Sequence, residues 1–386
     1  MDCKYIAFSF LREIYLRHFF EKLVANNFFS PEMSYFCGMN LFTATLLEWY
    51  KEHKRELPWR NTSNPYLIWI SEIILQQTRV SQGYEYYLRF VRRFPDVQTL
   101  AEADEDEVMK YWQGLGYYSR ARNLHAAAKS MNGHFPETYE GVRALKGVGD
   151  YTAAAICSLA YGMPHAVVDG NVYRVLARYW GIDTPIDSTA GKKLFAALAE
   201  EMLEKKQSAD YNQAIMDFGA IQCTPQAPNC MFCPLAESCE ARKQGKVMHL
   251  PVKQHKIQTT NRYFHYIYVR AGAYTFIRKR TEEDIWKNLF ELPLIETEQP
   301  MESEDEFLSS PLFQAFLAKA GEPLSIRLLQ KNVKHVLSHR IIYTNFYEMI
   351  VPDDTMSLEG YLRVAVDDIE DYAVSRLLHA FLEKYL

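Results

Sequence analysis

The sequence predicts a chain of two unlike parts: an all-α region over residues 40–240 and an α+β domain over 261–386, joined by a polar linker at 241–260. Three observations carry this division. Between 40 and 240, apolar side chains recur at helical spacing and strand-like alternation is nearly absent. After Cys239 the composition turns to Lys, Gln and His over 242–260, a linker composition, and then to short aromatic and β-branched runs. The change falls just behind four closely spaced cysteines, Cys223, Cys230, Cys233 and Cys239. A chain of 386 residues, 48% hydrophobic and 14% aromatic, is long and apolar enough for two domains with cores of their own.

Residues 1–39 read as an appended arm. Its apolar stretch is broken by Arg12, Glu13, Arg17, His18 and Glu21 and has no small-residue cleavage site, so it fails as a signal peptide. Cys37 and Gly38 precede Met39, which reads as the functional start. The first amphipathic helix follows, with Leu46, Trp49, Tyr50 and His53 on one face. Asn64-Pro65 opens the next helix, with Asn as N-cap and Pro at the first helical position. Asp104-Glu105 opens a helix to Trp112, and Ser119-Arg120 opens another. Helices are further expected over Pro136–Leu145, Asp150–Tyr161, Gly170–Trp180 and Gly191–Lys205. In the last part Tyr263–Val269, Ala273–Arg280 and Ile341–Ile350 read as strands, separated by acidic loops at Glu282–Asp284 and Glu302–Glu306, and the final twenty residues read as a closing helix.

Charge and composition exclude several classes. The net charge of -5 is not that of a bulk polycation, so nucleic-acid binding has to come from a local patch. No run of 18 apolar residues indicates a spanning helix. Cys3, Cys37 and Cys157 are sparse and unpaired in pattern, which fits a reducing cytoplasm. The four clustered cysteines, spaced C-x6-C-x2-C-x5-C, suit an inorganic centre. Only Cys230 and Cys233 form a zinc-knuckle pair, and the uneven gaps suit an iron–sulfur cluster; spacing by itself leaves zinc and unligated thiols open.

Three segments carry chemistry. In Leu145-Lys146-Gly147-Val148-Gly149-Asp150, two glycines one residue apart permit a tight helix–helix turn with positive φ. The backbone N–H groups that open the following helix suit an anion such as a DNA phosphate, and Lys146 adds charge; a plain capped turn has the same sequence. Asp169 is placed to cap the helix from Gly170, and the N–H bonds of a cap are expected to lower its pKa and make it a fixed anion, although a cap alone would look the same. Glu72 shares a helix face with Ile68 and Trp69, where desolvation is expected to raise its pKa toward that of a proton donor; a buried structural Glu is the alternative. Two carboxylates pushed in opposite directions suit acid and stabiliser roles in breaking a glycosidic bond.

These segments, in this order and with the cysteine loop after them, resemble the helix-hairpin-helix DNA glycosylases, and among them the MutY family of adenine DNA glycosylases, over residues 40–386. The resemblance implies an all-α six-helix barrel with a 4Fe–4S cluster loop at 223–239, ligated by Cys223, Cys230, Cys233 and Cys239, and a C-terminal Nudix-like domain that recognises 8-oxoguanine. It implies that Lys146, Gly147, Val148 and Gly149 grip a phosphate, with an alkali cation on the hairpin carbonyls. Gln77, after Leu75, and Tyr117 match residues inserted near the mispair, and Arg60 matches a residue close to the adenine pocket. Glu72 would protonate adenine N7 and guide water, Asp169 would stabilise the sugar cation or bond to it transiently, and Tyr151 and Asn171 would hold the site. Tyr151 stands where lyase relatives carry the Schiff-base lysine, which implies a monofunctional enzyme.

In the C-terminal part, Trp286-Lys287-Asn288-Leu289-Phe290-Glu291-Leu292-Pro293 matches the pattern after the second strand of that domain, and no intact Nudix box is present. Leu337-Ser338-His339 aligns with the family's Phe-Ser-His loop; Leu replaces the intercalating Phe, while Ser338 and His339 are retained to contact the lesion. The implied partner is double-stranded DNA with adenine opposite 8-oxoguanine or guanine, bound by a monomer that is cytoplasmic and nucleoid-associated in the bacterial manner, with no membrane role. An endonuclease III-like glycosylase–lyase, a non-catalytic DNA-binding redox sensor and a Nudix hydrolase are the rival readings. Tyr151 and the C-terminal domain weigh against the first, and the missing box against the last.

Overall fold

The computed structural model describes residues 40–255, 258–301, 303–352 and 357–386. The expectations for the arm at 1–39, Met39, Cys3, Cys37 and the Glu302 end of one acidic loop lie outside the described residues.

Residues 41–243 form helices whose starts are set by short polar side chains. They are α1 (Leu41–His53), α2 (Pro65–Leu75), α3 (Val80–Arg93), α4 (Val97–Glu102), α5 (Glu105–Trp112), α6 (Ser119–Ser130), α7 (Tyr139–Arg143), α8 (Asp150–Tyr161), α9 (Gly170–Trp180), α10 (Thr189–Met202), α11 (Ser208–Asp217) and α12 (Glu240–Lys243). Asn40 and Asn64 accept the Phe42 and Tyr66 N–H groups at 2.8 and 2.9 Å, satisfying donors that have no partner inside their helices. Two expected bounds shift for the same reason. The helix expected over Pro136–Leu145 is only the short α7, because Thr138 caps it by accepting the Gly141 N–H at 3.1 Å. The helix expected from Gly191 starts two residues earlier, where Ser188 is the cap, and ends at Met202. Two cores result. One holds Trp69, Phe90, Phe94 and Trp112; the other holds Phe42, Leu176, Phe195 and Tyr211.

The chain beyond Cys239 stays bound to the helices as far as His255: Asp187 accepts the Gln254 and His255 N–H groups at 2.8 and 2.9 Å. The C-terminal part is a mixed seven-stranded sheet of β1 (Thr260–Ala271), β2 (Tyr274–Lys279), β3 (Phe290–Glu291), β4 (Leu294–Thr297), β5 (Ser325–Val336), β6 (Arg340–Val351) and β7 (Leu362–Ala365), in the order β3-β2-β1-β6-β5, with β4 on β1 and β7 on β2. The central pair β1–β6 is parallel, in register from Thr260↔Arg340 to Ala271↔Val351, and β5–β6 is an antiparallel hairpin whose tip is Leu337–His339. Period-2 alternation sends Phe264, Tyr266 and Phe346 against the last helix, α15 (Arg376–Tyr385), and Ile267, Val269 and Tyr347 toward α13 (Glu304–Ser309) and α14 (Pro311–Ala320). Only three of the seven strands were legible as runs; β5 alternates exposed Lys and Arg with apolar residues and includes register shifts that blur its period.

The two parts share one core. Leu289 and Ala373, from the C-terminal part, are buried within the first helical cluster, and Trp286 packs against it. Around this seam Lys279 pairs with Asp106, the Asn288 amide with Glu105, and Arg122 Nη1 donates to the Lys287 carbonyl at 2.8 Å. The segment Trp286–Pro293 is therefore a docking element.

Candidate active site

Glu72 projects from α2 against α8. The Tyr151 hydroxyl donates to Glu72 Oε2 at 2.8 Å and is also 3.6 Å from the Met216 sulfur. Burial pushes the Glu72 carboxyl up to about 7; the Tyr151 hydrogen bond opposes this, the Asp169 charge adds to it, and the nearby Arg60 cation opposes it. The Tyr151 phenol is itself pushed well up, first by burial and then by the charges of Glu72 and Asp169. These mutual interactions bring residues 72, 151 and 169 into one site.

Asp169 is the N-cap of α9. Its Oδ1 accepts the Asn171 and Val172 N–H groups, each at 2.8 Å, and its Oδ2 accepts from Asn171 Nδ2 at 2.7 Å. The expected lowering of its pKa is not what results: burial raises it, and the bonds from Val172 and Asn171 only partly offset that. A cap on a well-solvated helix end lowers a carboxyl's pKa, whereas here desolvation of the carboxyl outweighs the hydrogen bonds of the cap. The Asn171 side chain is held from both sides, since its Oδ1 accepts from Arg174 at 2.9 Å. Arg174 continues to the Gly219 carbonyl at 2.7 Å and the Cys223 carbonyl at 2.8 Å. Gly219 has to be glycine for this contact, because a Cβ there would lie 2.6 Å from the Asn171 Cβ.

Arg60 is held on a carboxylate beside Glu72. Its guanidinium clasps Asp217, which is fully buried and also accepts from Arg55 Nε at 2.8 Å. Burial acts to raise the Asp217 pKa, but the paired Arg60 and Arg55 prevail and hold it below the usual carboxylate range. Two cations on one carboxylate leave net positive charge next to Glu72.

The surface facing away from the core carries the other residues singled out in sequence. Lys146, Gly147 and Gly149 are exposed at the α7–α8 turn, and Gly149 caps α8 without a side chain, so the first-turn N–H groups of α8 receive no side-chain cap. Only Gly147 has positive φ (+82°); Gly149 is extended at -96°. Val148 between them turns its side chain into the core, and its N–H donates to the Leu145 carbonyl at 3.0 Å. Gln77 (φ +55°) and Tyr117 (φ +46°) are exposed residues in left-handed conformations on two separate loops, while Leu75 packs inward beside Gly83.

One residue not singled out in sequence joins those loops. Arg120 is buried, and its guanidinium donates to the carbonyls of Ile73, Gln76 and Gly116 at 2.8, 2.6 and 3.4 Å and stacks over Tyr117 with 5.3 Å to the ring centre. Burial lowers its pKa to about 10, so it stays a cation at neutral pH. A lone Arg in the first turn of a helix gives no sequence signal of this role.

At the tip of the β5–β6 hairpin, Leu337 packs against the domain core, His339 is exposed, and Ser338 Oγ lies 2.5 Å from the Tyr117 hydroxyl. The hairpin thus meets the Tyr117 loop directly.

The four clustered cysteines line one cavity with Val175, Arg178 and Phe218. None of the four is in a disulfide, and Arg178 Nη1 lies 3.4 Å from the Cys223 sulfur. Among the described residues, no three His, Cys, Asp or Glu side chains are set to hold a metal ion. No helix among them is long and apolar enough to cross a membrane.

Residues 70–202 match the HhH-GPD superfamily base excision DNA repair protein family, and residues 265–384 match the NUDIX domain. The chain is similar to the adenine DNA glycosylase of Buchnera aphidicola subsp. Baizongia pistaciae, 34% identical over 79% of this chain and 85% of that protein. It is similar to that of Schizosaccharomyces pombe, 29% identical over 87% of each, and to that of Homo sapiens, 42% identical over 53% of this chain and 40% of the human one. A solved structure of a thermostable thymine-DNA glycosylase, 31% identical, overlays 53% of this chain and 96% of that one with a TM-score of 0.50.

Proposed function

This chain belongs to the adenine DNA glycosylase family, and we propose that Glu72 and Asp169 perform the excision in a cleft of the helical region. The protein is a base excision repair glycosylase that removes adenine from DNA. In this reading Glu72, protonated near neutral pH, gives its proton to N7 of an extruded adenine. The C1′–N9 bond then breaks and its electron pair leaves with the base. The sugar cation is met by the Asp169 carboxylate, which the three N–H bonds of its cap hold in place. Water adds to C1′ and returns a proton to Glu72. The observation that carries this is the Tyr151–Glu72 hydrogen bond at 2.8 Å, together with the shared charge field of Glu72 and Asp169.

Tyr151 offers a phenol where a lyase needs an amine, so the enzyme is monofunctional; borohydride trapping of a protein–DNA adduct at the level of a true lyase would contradict this. The uncapped start of α8 with Lys146 takes a backbone phosphate, with an alkali cation on the hairpin carbonyls, and Gln77 and Tyr117 enter the duplex to offset the cost of unstacking. The substrate is adenine opposite 8-oxoguanine or guanine in double-stranded DNA. Residues 261–386 act as the lesion-recognition domain through Ser338 and His339, behind a glycosylase domain at 40–240 and a connecting segment at 241–260 that packs against that domain as far as His255. The protein works as a monomer on the bacterial nucleoid.

Cys223, Cys230, Cys233 and Cys239 hold a 4Fe–4S cluster. The four sulfurs line one cavity, and the guanidinium of Arg178 beside Cys223 would offset the negative charge of thiolate ligation. These four side chains would hold the cluster within the 223–239 loop, which Arg174 and Arg178 of α9 hydrogen-bond through the Cys223 and Thr224 carbonyls. Iron and sulfide analysis of purified protein tests this, with about four of each per chain expected.

Single-turnover adenine release by Glu72→Gln is the decisive measurement. The expected loss is about 10³-fold or more with duplex binding retained; an unchanged rate would sink the assignment.

A further inference from the structure

The loop that presents Tyr117 is bonded on both flanks to a single residue of the C-terminal domain. Gln113 Oε1 accepts the Val374 N–H at 3.2 Å. The Tyr118 hydroxyl accepts the Gly114 N–H at 3.2 Å and donates to the Val374 carbonyl at 3.3 Å. Both backbone polar groups of Val374 are therefore satisfied by side chains from the α5–α6 loop. Val374 is a fixed point, since its side chain lies in the C-terminal core while that of Ala373 lies in the helical core.

Between those flanks the backbone is held in an uncommon shape. Gly114, Gly116 and Tyr117 all have positive φ, at +95°, +74° and +46°. Glycine adopts such angles freely, but tyrosine does so only where its surroundings impose them. The surroundings of Tyr117 include Arg120 beneath the ring, Ser338 at the hydroxyl, and the two anchors on Val374. Of these, the Ser338 contact lies where DNA has to enter if the assignments above hold, so it has to give way on binding. The Val374 anchors sit behind the loop and persist.

We propose that Gln113 and Tyr118 are positioning residues that make the placement of Tyr117 conditional on a docked C-terminal domain, so that lesion contact and base extrusion are mechanically one event. This rests on the reading above, in which Tyr117 enters the duplex and Ser338 faces the damaged guanine. A C-terminal domain cut loose from this loop still touches the lesion but no longer passes the free energy of that contact to the wedge. The loss then falls on substrates that depend on lesion contact, and less on those that do not.

Tyr118→Phe keeps the buried ring and removes both hydroxyl bonds; Gln113→Ala, at a half-buried position outside the core, repeats the test should Tyr118→Phe lower the melting temperature. Single-turnover adenine release is measured in the full chain on duplexes with adenine opposite 8-oxoguanine and opposite guanine, and extrusion is followed by fluorescence of 2-aminopurine in place of the adenine. Release opposite 8-oxoguanine is expected to fall about tenfold and opposite guanine no more than about twofold, as two lost neutral hydrogen bonds allow. The extrusion signal opposite 8-oxoguanine is expected to fall in parallel. Tyr118→Phe combined with Tyr117→Ala is expected to lose no more than Tyr117→Ala alone. Equal losses on both duplexes, an unchanged extrusion signal, or additive losses in the double variant would overturn the coupling. Failure of the underlying reading looks different: the unsubstituted protein would then release adenine from neither duplex.

Discussion

The helical region and the C-terminal domain place their candidate functional residues in opposite settings. In the helical region the polar groups around the cleft are drawn inward and tied down, with Glu72 on Tyr151, Asp169 on its own helix N-terminus, Asn171 on Arg174, and Arg55 and Arg60 on Asp217. In the C-terminal domain the corresponding groups sit at a hairpin tip, where Ser338 is half-buried and His339 exposed. Proton transfer needs desolvation and fixed geometry, because only a buried carboxyl stays protonated near pH 7. Recognition of a base needs reach, and a two-stranded tip supplies it. The difference teaches where each kind of substitution should register.

The comparison breaks most sharply at Glu72. Beyond the loss of release given above, the stability of Glu72→Gln has a sign. The Glu72 pKa is raised from its ordinary 4.5 to about 7 in the fold, so folding favours its protonated form. That contribution is fully present below about pH 4.5 and is lost as pH rises through 7. Glu72→Gln is therefore expected to melt higher than the parent at pH 8, with the difference vanishing by pH 4; a pH-independent difference in thermal melts would contradict the burial argument. Adenine release by the parent is likewise expected to fall as pH rises above 7.

Asp169→Asn comes next. Asparagine caps a helix about as well as aspartate, so melting should change little while release falls by about 10²–10³-fold. A matching fall in melting temperature would make Asp169 a structural cap instead. Asp217→Asn should act on stability: it leaves the mostly buried Arg60 and the partly exposed Arg55 without their anion, and a loss of about 3 kcal/mol in denaturant unfolding is expected. The smallest effect should lie at the tip. Ser338→Ala is expected to lower release opposite 8-oxoguanine by only about threefold to tenfold, with no change in melting, since it removes one partly exposed hydroxyl. A loss as large as that of Glu72→Gln would erase the contrast between the two regions.

How much was legible followed how local each signal is. Glu72 showed itself through Ile68 and Trp69 on the same face, and Asp169 through its place before Gly170, because helix periodicity and capping are properties of a few consecutive residues. The sign of the Asp169 shift was misread, since a cap's hydrogen bonds are local while its burial depends on elements far along the chain. Val148 stands between the two hairpin glycines, and nothing local showed that its side chain is buried in the core. Arg120, Arg174 and Asp217 had no local signature, for their partners lie 44, 49 and 157 positions away.

By itself the sequence determined the starts of α2, α5, α6, α8 and α9, the cysteine cluster, the order of the motifs and the change to strands after residue 260, all of which are written in short-range spacing. Tertiary structure alone decided that Glu72 and Asp169 share a site, that Arg60 is held on Asp217, and that the tip at Ser338 meets Tyr117. Those are contacts between segments distant in sequence, chosen by which apolar faces bury one another, and burial sets both where a side chain ends up and whether its charge survives there.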